Sequence, residues 1–179
     1  MNENVKKLVM PVVVLAVICL VVTAALAVSN SVTAPIVEKA QAEAAQAARA
    51  EVLPGGSGFT KVEAAGLPER VTEAYRADNG AGYVFSLTTK GYNGPMKLMV
   101  GIASDGKIAG VKALDISKED PGMGSRVGED FFTSQFPGKD AALEGVDTIS
   151  GSTVSSASYI AAVKDAFTAF EALNGREGT

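Results

Sequence analysis

The sequence predicts an α+β protein: a single N-terminal transmembrane helix, followed by an exported domain in which an antiparallel sheet is packed with helices. Three observations predict this class. A long uncharged apolar run lies near the N-terminus, short strand-like runs separated by turn signals occupy the middle, and an amphipathic helical pattern closes the chain. With 179 residues and 47% hydrophobic content, the chain can hold one ordinary domain and a membrane segment.

The apolar run covers residues 8–28 and contains no charged residue. At about 1.5 Å per residue it reaches roughly 30 Å, the thickness of the hydrocarbon core of a bilayer. Lys6 and Lys7 precede the run, whereas the next positive charge is Lys39. The positive-inside rule therefore predicts a cytoplasmic N-terminus over 1–7, a single-pass anchor in the lipid of the cell membrane, and an extracytoplasmic remainder.

A cleaved signal peptide is the alternative for this run, because Ala25-Leu26-Ala27 has the small-x-small form of a cleavage site. The apolar core of a signal peptide usually spans about 7–15 residues, however, and this run is longer. The length favours a retained anchor.

Composition excludes several classes of function. The chain has no His and a single Cys, Cys19, which lies inside the apolar run. Nucleophile–His pairs and His-based metal sites are therefore excluded, and we expect no catalytic residue and no metal site. Once 1–7 is set aside, the net charge is one unit more negative than the −4 of the whole chain. Without a basic patch, no nucleic-acid partner is expected.

Residues 29–56 predict a juxtamembrane helix and linker. Thr33 can cap such a helix, Pro35 suits its first turn, and Pro54-Gly55-Gly56 ends it. The domain follows over 57–179. Five runs there have strand character, at 59–66, 71–77, 82–92, 96–104 and 107–117.

Turn residues and a helical stripe organise the domain further. Asp78-Asn79-Gly80 and Asp105-Gly106 tolerate positive φ and each lies between two candidate strands, so each predicts a hairpin. A short amphipathic segment lies around Phe131, Phe132 and Phe136. The last helix presents one apolar face, formed by Ile160, Val163, Phe167, Phe170 and Leu173.

Directly before this last helix, residues 147–156 read DTISGSTVSS, with six hydroxyl side chains in ten residues. Free N–H groups and the helix dipole make a helix N-terminus a site for an anion such as phosphate, and Gly151 allows close backbone approach. Ser and Thr are also common caps, and by spacing alone a plain capped turn is the more frequent structure.

The stretch Asp147-Thr148-Ile149-Ser150-Gly151-Ser152-Thr153 resembles the D-x-x-[ST]-G-A-T motif of the FMN-binding domain family. This family includes the G subunit of the Rnf ferredoxin:NAD electron-transport complex and the C subunit of the sodium-translocating NADH:quinone reductase. The resemblance implies that a flavin transferase joins FMN through its phosphate to Thr153. It also implies that Ser150, Gly151 and Ser152 hold the phosphate and that Asp147 serves recognition by the transferase. Ser152 stands where the family usually has Ala.

A second segment resembles the family's E-T-P-G-L-G loop, which lies against the flavin ring: Glu119, Asp120, Pro121, Gly122, Met123 and Gly124. Asp120 replaces Thr and adds a negative charge that disfavours the reduced anionic flavin, whereas Met123 replaces Leu and is well suited to cover a ring. Taken alone, the segment also fits a simple Pro-Gly turn. A Gly91-Tyr92-x-Gly94 segment continues the likeness along the chain.

The resemblance implies a membrane-anchored covalent flavoprotein subunit that relays electrons within an ion-translocating ferredoxin:NAD oxidoreductase complex. Its partners are then the other membrane and redox subunits of an Rnf-type complex, and it is not expected to turn over a substrate alone. Two alternatives remain open: an anchored binding or scaffold subunit with Thr153 unmodified, and the same FMN domain used in another respiratory or regulatory membrane protein.

Overall fold

The computed structural model describes residues 3–63 and 66–177, and the chain divides into two compact units, Met1–Ala45 and Gln46–Thr179. Positions 1, 2, 64, 65, 178 and 179 of the predicted segments lie outside the described residues. The first unit consists of the greater part of helix α1 (Glu3–Val52). Within the described residues, one stretch is long and apolar enough to cross a membrane, Met10–Ala34, and its side chains are almost all exposed.

The apolar stretch Met10–Ala34 overlaps the predicted 8–28. The predicted start of a separate juxtamembrane helix at Thr33 is wrong. Helix α1 runs without interruption through Thr33 and Pro35. The Thr33 hydroxyl donates to the Ser29 carbonyl at 2.8 Å, and the Ser31 hydroxyl donates to the Val28 carbonyl at 2.8 Å. Because these hydroxyls are satisfied by the preceding turn, they continue the helix instead of capping a new one. Its end at Val52, before Pro54, is as predicted.

The second unit contains a five-stranded antiparallel sheet, as the sequence predicts. The strands are β1 (Phe59–Val62), β2 (Val71–Ala77), β3 (Gly82–Lys90), β4 (Pro95–Ala103) and β5 (Ile108–Asp115). They follow one another in the order β1-β2-β3-β4-β5, so every neighbour in the sheet is also the neighbour in sequence.

Both predicted hairpin turns are confirmed. Gly80 joins β2 to β3 with φ +74°, and Gly106 joins β4 to β5 with φ +79°. A third hairpin joins β3 to β4, closed by the Gly91 N–H, which donates to the Gly94 carbonyl at 2.7 Å. Positive φ costs glycine little, which explains the residue type at the first two turns.

After β5 come a 3-10 helix (Gly124–Gly128), the short helix α2 (Asp130–Thr133) and the long helix α3 (Thr153–Glu177). Helix α3 packs on one face of the sheet. Four of the five stripe residues are buried as predicted, whereas Ile160 is partly buried. Phe132 and Phe136 complete this core around Tyr159, with ring centroids 5.3–5.5 Å apart.

The opposite face of the sheet is covered by the last turns of α1, which belong to the second unit. Ala48, Val52 and Leu53 form a smaller apolar cluster with the sheet residues Val84 and Met99. This second layer explains why β3 and β4 carry near-continuous apolar residues, since both faces of these strands are buried.

Candidate functional site

A cavity of about 460 Å³ lies at the N-terminus of α3. Three chain segments line it. The β3–β4 turn contributes Tyr92, and the loop after β5 contributes Glu119, Asp120, Met123 and Gly124. The third segment is the hydroxyl stretch, which contributes the residues 151–155. The volume is in the range of small-molecule sites, about 300–1,000 Å³.

The third segment leads straight into the helix. The Ser156 N–H donates to the Ser152 carbonyl at 3.0 Å, and this is the first bond of the α3 ladder. The N–H groups of residues 153–155 therefore have no acceptor within the helix. Thr153 is the first residue of α3 and is exposed at the cavity. Its hydroxyl thus lies at the positive end of a 25-residue helix, where a bound anion is stabilised.

The hydroxyl stretch does not act as one uniform set. The buried Ser156 hydroxyl accepts the Ile149 N–H at 3.1 Å and donates to the Ser152 carbonyl at 2.8 Å, so it fastens the turn before the helix. The Ser155 hydroxyl donates to the Glu119 carboxylate. Ser152 is only 5% exposed, and its hydroxyl has no hydrogen-bond partner among the described residues. Among the three hydroxyl residues of the stretch that line the cavity, Thr153 is exposed, whereas Ser152 and Ser155 are buried.

Glu119 is a buried carboxylate at the base of the site, 4% exposed. It accepts the Asn93 N–H at 3.1 Å and the Ser155 hydroxyl, and so contacts both other lining segments. Asp120, its neighbour, is exposed. No Lys or Arg is among the residues that line the cavity, so its charged side chains are both acidic.

The loop and the hydroxyl stretch face each other across the cavity. Gly151 has φ +82°, and a Cβ built there would lie 3.6 Å from the Met123 Cε atom. Met123 is half exposed, as is Val154, and Tyr92 is 71% exposed. These side chains give the mouth an apolar and aromatic rim, and the positive φ of Gly151 sets the turn that brings the stretch opposite Met123.

The structure brings together seven of the residues that the sequence singled out, from the loop Glu119, Asp120, Met123 and Gly124, and from the hydroxyl stretch Gly151, Ser152 and Thr153. Ser150, Pro121 and Gly122 do not line the cavity. Gly122 has φ +86° and shapes the loop instead. Asp147 also lies outside the lining. It is exposed, and its N–H donates to the Gln135 side-chain oxygen at 2.8 Å.

Sequence reasoning missed Tyr92, Val154 and Ser155 as lining residues. The Gly91-Tyr92-x-Gly94 segment was a usable signal, because two glycines around an aromatic residue are typical of a tight turn that presents a side chain. Ser155 carries no such signal. Its role depends on Glu119, which lies 36 positions away in the sequence.

The family described as FMN-binding domain matches residues 91–168, a range that contains all three lining segments. The second unit therefore contains an FMN-binding domain over residues 91–168.

Two relatives extend the likeness over most of the chain. The G subunit of the Na(+)-translocating ferredoxin:NAD(+) oxidoreductase complex of Acetobacterium woodii is 33% identical over 165 residues, which covers 84% of this chain and 78% of that protein. The G subunit of the ion-translocating oxidoreductase complex of Methanosarcina acetivorans is 31% identical over 176 residues, covering 90% and 93%. The chain belongs to this family of FMN-binding G subunits.

A solved structure shares part of the chain. The C subunit of the Na(+)-translocating NADH-quinone reductase of Parabacteroides distasonis is 22% identical, with a TM-score of 0.43, and the overlap covers 56% of this chain and 58% of that one.

The cavity fits FMN in its chemistry. The apolar rim of Tyr92, Met123 and Val154 suits a flat aromatic ring, while the N-terminus of α3 offers free N–H groups to a phosphate. The exposed Thr153 is the first residue of the same helix. Together with the apolar part of α1, family membership identifies a membrane protein that binds FMN.

Proposed function

We propose that this chain is a membrane-anchored covalent flavoprotein subunit that relays electrons within an ion-translocating ferredoxin:NAD oxidoreductase complex. One observation carries the proposal: in a chain of the G-subunit family, one cavity unites the exposed Thr153 at a helix N-terminus with the loop that begins at Glu119. The first feature suits a phosphoester, and the second suits an aromatic ring beside it.

Thr153 is the proposed point of attachment. A flavin transferase supplies the donor, a flavin nucleotide activated as a phosphoanhydride. The bond between the Thr153 Oγ1 atom and phosphorus forms as the anhydride bond breaks, a nucleoside monophosphate leaves, and the hydroxyl proton passes to solvent. Asp147 is exposed just ahead of the turn, as a residue read by the transferase must be.

The other residues of the stretch take different roles from those first expected. The N–H groups at the start of α3 and the backbone of Gly151 hold the phosphate. The Ser152 hydroxyl is buried and Ser150 does not line the cavity, so neither side chain is assigned to it. Met123 covers the ring from the facing loop. When bound, FMN supplies one- and two-electron transfer, and the protein supplies its position and electrostatic surroundings.

Electrons enter and leave this domain through partner subunits. The chain has no His, and the charged groups that line the cavity are the carboxylates of Glu119 and Asp120. Glu119 is engaged by protein donors and Asp120 is exposed, so we assign neither carboxylate to acid–base turnover of a substrate. We place the N-terminus in the cytoplasm, because Lys6 and Lys7 precede the apolar stretch, and the domain on the extracytoplasmic side.

Covalent attachment is tested by producing the chain together with a flavin transferase and comparing Thr153→Ala with Thr148→Ala. Thr148 is an exposed hydroxyl of the same stretch outside the cavity lining, and so serves as the matched control. Intact-chain mass spectrometry should show the added mass of FMN less one water on the wild type and on Thr148→Ala, and no such addition on Thr153→Ala. Flavin retained by Thr153→Ala would refute the assignment.

The same measurement on protein from native membranes addresses the scaffold alternative. A chain that carries no flavin there while the assembled complex is active would favour a binding or scaffold subunit. For the relay, reduction of the bound flavin is followed in the isolated chain and in the complex. Rapid reduction by NADH in the isolated chain would contradict a relay, and reduction seen in the complex alone would support it.

A further inference from the structure

We infer that Glu119 is a positioning residue: its buried carboxylate joins the three segments that line the flavin cavity and faces protein groups instead of the cofactor. This inference rests on the proposed function, since it concerns how the same site is assembled. The resemblance to the family assigns the whole loop to the flavin, and the structure gives Glu119 a different task within it.

Both carboxylate oxygens of Glu119 are engaged by protein donors. Oε1 accepts the N–H of Asn93 in the β3–β4 turn at 3.1 Å, and Oε2 accepts the hydroxyl of Ser155 in the first turn of α3. Ser155 in turn accepts the Tyr92 N–H at 3.2 Å. The three lining segments are therefore linked by one continuous chain of hydrogen bonds that passes through Glu119.

Two glycines pack against this carboxylate. A Cβ at Gly91 would overlap Oε1, and a Cβ at Gly124 would overlap Oε2. The backbone of the turn and that of the loop thus enclose the carboxylate from two sides, which agrees with its 4% exposure. Gly124, the last residue of the loop motif, is needed here for close approach, and its φ is not in the left-handed region.

A carboxylate in this position is specific in a way that an amide is not. A buried carboxylate is tolerated only when its oxygens accept hydrogen bonds. Each oxygen of Glu119 accepts one, from the Asn93 N–H and from the Ser155 hydroxyl. A Gln side chain keeps the Asn93 bond only with its oxygen toward that N–H, and its NH₂ group then meets the Ser155 hydroxyl, which must change from donor to acceptor. The charge that strengthens both bonds is lost in either orientation. Because Ser155 lies two residues after Thr153, losing the network frees the attachment residue from the loop opposite it.

The network lies apart from the main core. Phe132, Phe136 and Tyr159 pack among themselves under α3, and none of them lines the cavity. Loosening Glu119 should therefore open the cavity while the domain stays folded. A general structural role would instead lower the melting temperature of the whole domain.

The test uses the full chain in detergent with two variants of the network, Glu119→Gln and Ser155→Ala. Asp120→Asn is the control, because it removes a carboxylate that lines the same cavity but is exposed. In the flavin-free protein, amide hydrogen exchange at Tyr92 and Asn93 should become at least about tenfold faster in both network variants, which corresponds to about 1.4 kcal/mol. Asp120→Asn should exchange like the wild type.

In the flavin-loaded protein, Glu119→Gln and Ser155→Ala should weaken the visible circular dichroism of the flavin, with a fall in melting temperature no larger than that of Ser156→Ala, which also removes a buried hydrogen-bonded hydroxyl. Unchanged exchange and an unchanged flavin signal would overturn the inference, and so would a large fall in melting temperature without a local effect. If Glu119→Gln does not fold, the exchange and flavin signals of Ser155→Ala test the inference, because this variant keeps the Glu119 carboxylate. Faster exchange in a chain that carries no covalent flavin would uphold the network and refute the proposed function alone.

Discussion

The backbone carbonyl of Val52 lies directly against Gly101 of β4: a Cβ atom at Gly101 would overlap the carbonyl oxygen and lie 2.7 Å from the carbonyl carbon. Gly110 of β5, the cross-strand partner of Gly101, would place a Cβ 3.0 Å from the Val52 Cα. The two glycines form a shallow groove in which the end of α1 rests on the sheet. Any side chain at Gly101 must therefore push this turn away.

Gly101→Ala should destabilise the domain by about 1–3 kcal/mol, the usual cost of overpacking, because both colliding groups are backbone atoms that cannot rotate aside. Thermal unfolding followed by circular dichroism measures the change. Gly175→Ala on α3 is the control, since a Cβ there meets nothing within 4 Å and Ala favours helix. Equal melting temperatures for the two variants would show that the end of α1 can move away from Gly101 without loss of stability.

Ser152→Ala should leave the unmodified domain as stable as the wild type or more stable by about 1 kcal/mol, because it removes a buried hydroxyl that has no partner among the described residues. Ser156→Ala is the matched opposite. It removes a buried hydroxyl that accepts from Ile149 and donates to Ser152, so it should cost about 1–3 kcal/mol. Denaturant unfolding measures the free energy of unfolding of both variants. A larger loss of stability in Ser152→Ala than in Ser156→Ala would show that the Ser152 hydroxyl has a hydrogen-bond partner.

Tyr159→Phe should change the dependence of stability on alkaline pH. Burial raises the pKa of the Tyr159 hydroxyl above its ordinary value, and that hydroxyl has no partner among the described residues. The unfolded chain ionises this group near pH 10, whereas the folded chain holds it neutral. Wild-type stability should therefore fall above about pH 10, by up to about 1.4 kcal/mol per pH unit from this group.

The Phe variant lacks this contribution, so its stability should fall less steeply over the same alkaline range. At pH 7 it should be at least as stable as the wild type, because an unpaired donor has been removed. Unfolding free energies at pH 7, 10 and 11 test both statements. Parallel pH curves for the two proteins would mean that Tyr159 ionises equally in the folded and unfolded states.

Asp120→Asn should raise the midpoint potential of the bound flavin. Reduction adds negative charge to the site, and no cation among the lining residues offsets the carboxylates of Glu119 and Asp120. Because Asp120 is exposed, the shift should shrink as the salt concentration rises. Glu171→Gln, an exposed carboxylate on α3 outside the cavity lining, should leave the potential unchanged in the same dithionite titration.

Much of the fold could be predicted because the signals are local. Hydroxyl-rich turns, glycines at hairpins and the apolar stripe of α3 all act within a few residues, and alternation along the chain marks strands. The predicted helix boundary at Thr33 was wrong because a local signal there fits two structures equally well. A hydroxyl that caps one helix also bonds back to the preceding turn of another, and the sequence does not separate the two.

By itself, the sequence determined the apolar N-terminal segment, the five strands with two of their hairpin turns, and the two motifs that place Thr153 and the loop at Glu119 in one family pattern. The tertiary structure alone decided which side chains meet. Tyr92 and Ser155 join Glu119 because the pairing of β3 with β4 places their turn beside the start of α3. Contacts between residues so far apart in sequence depend on strand register and helix packing, and no local periodicity records them.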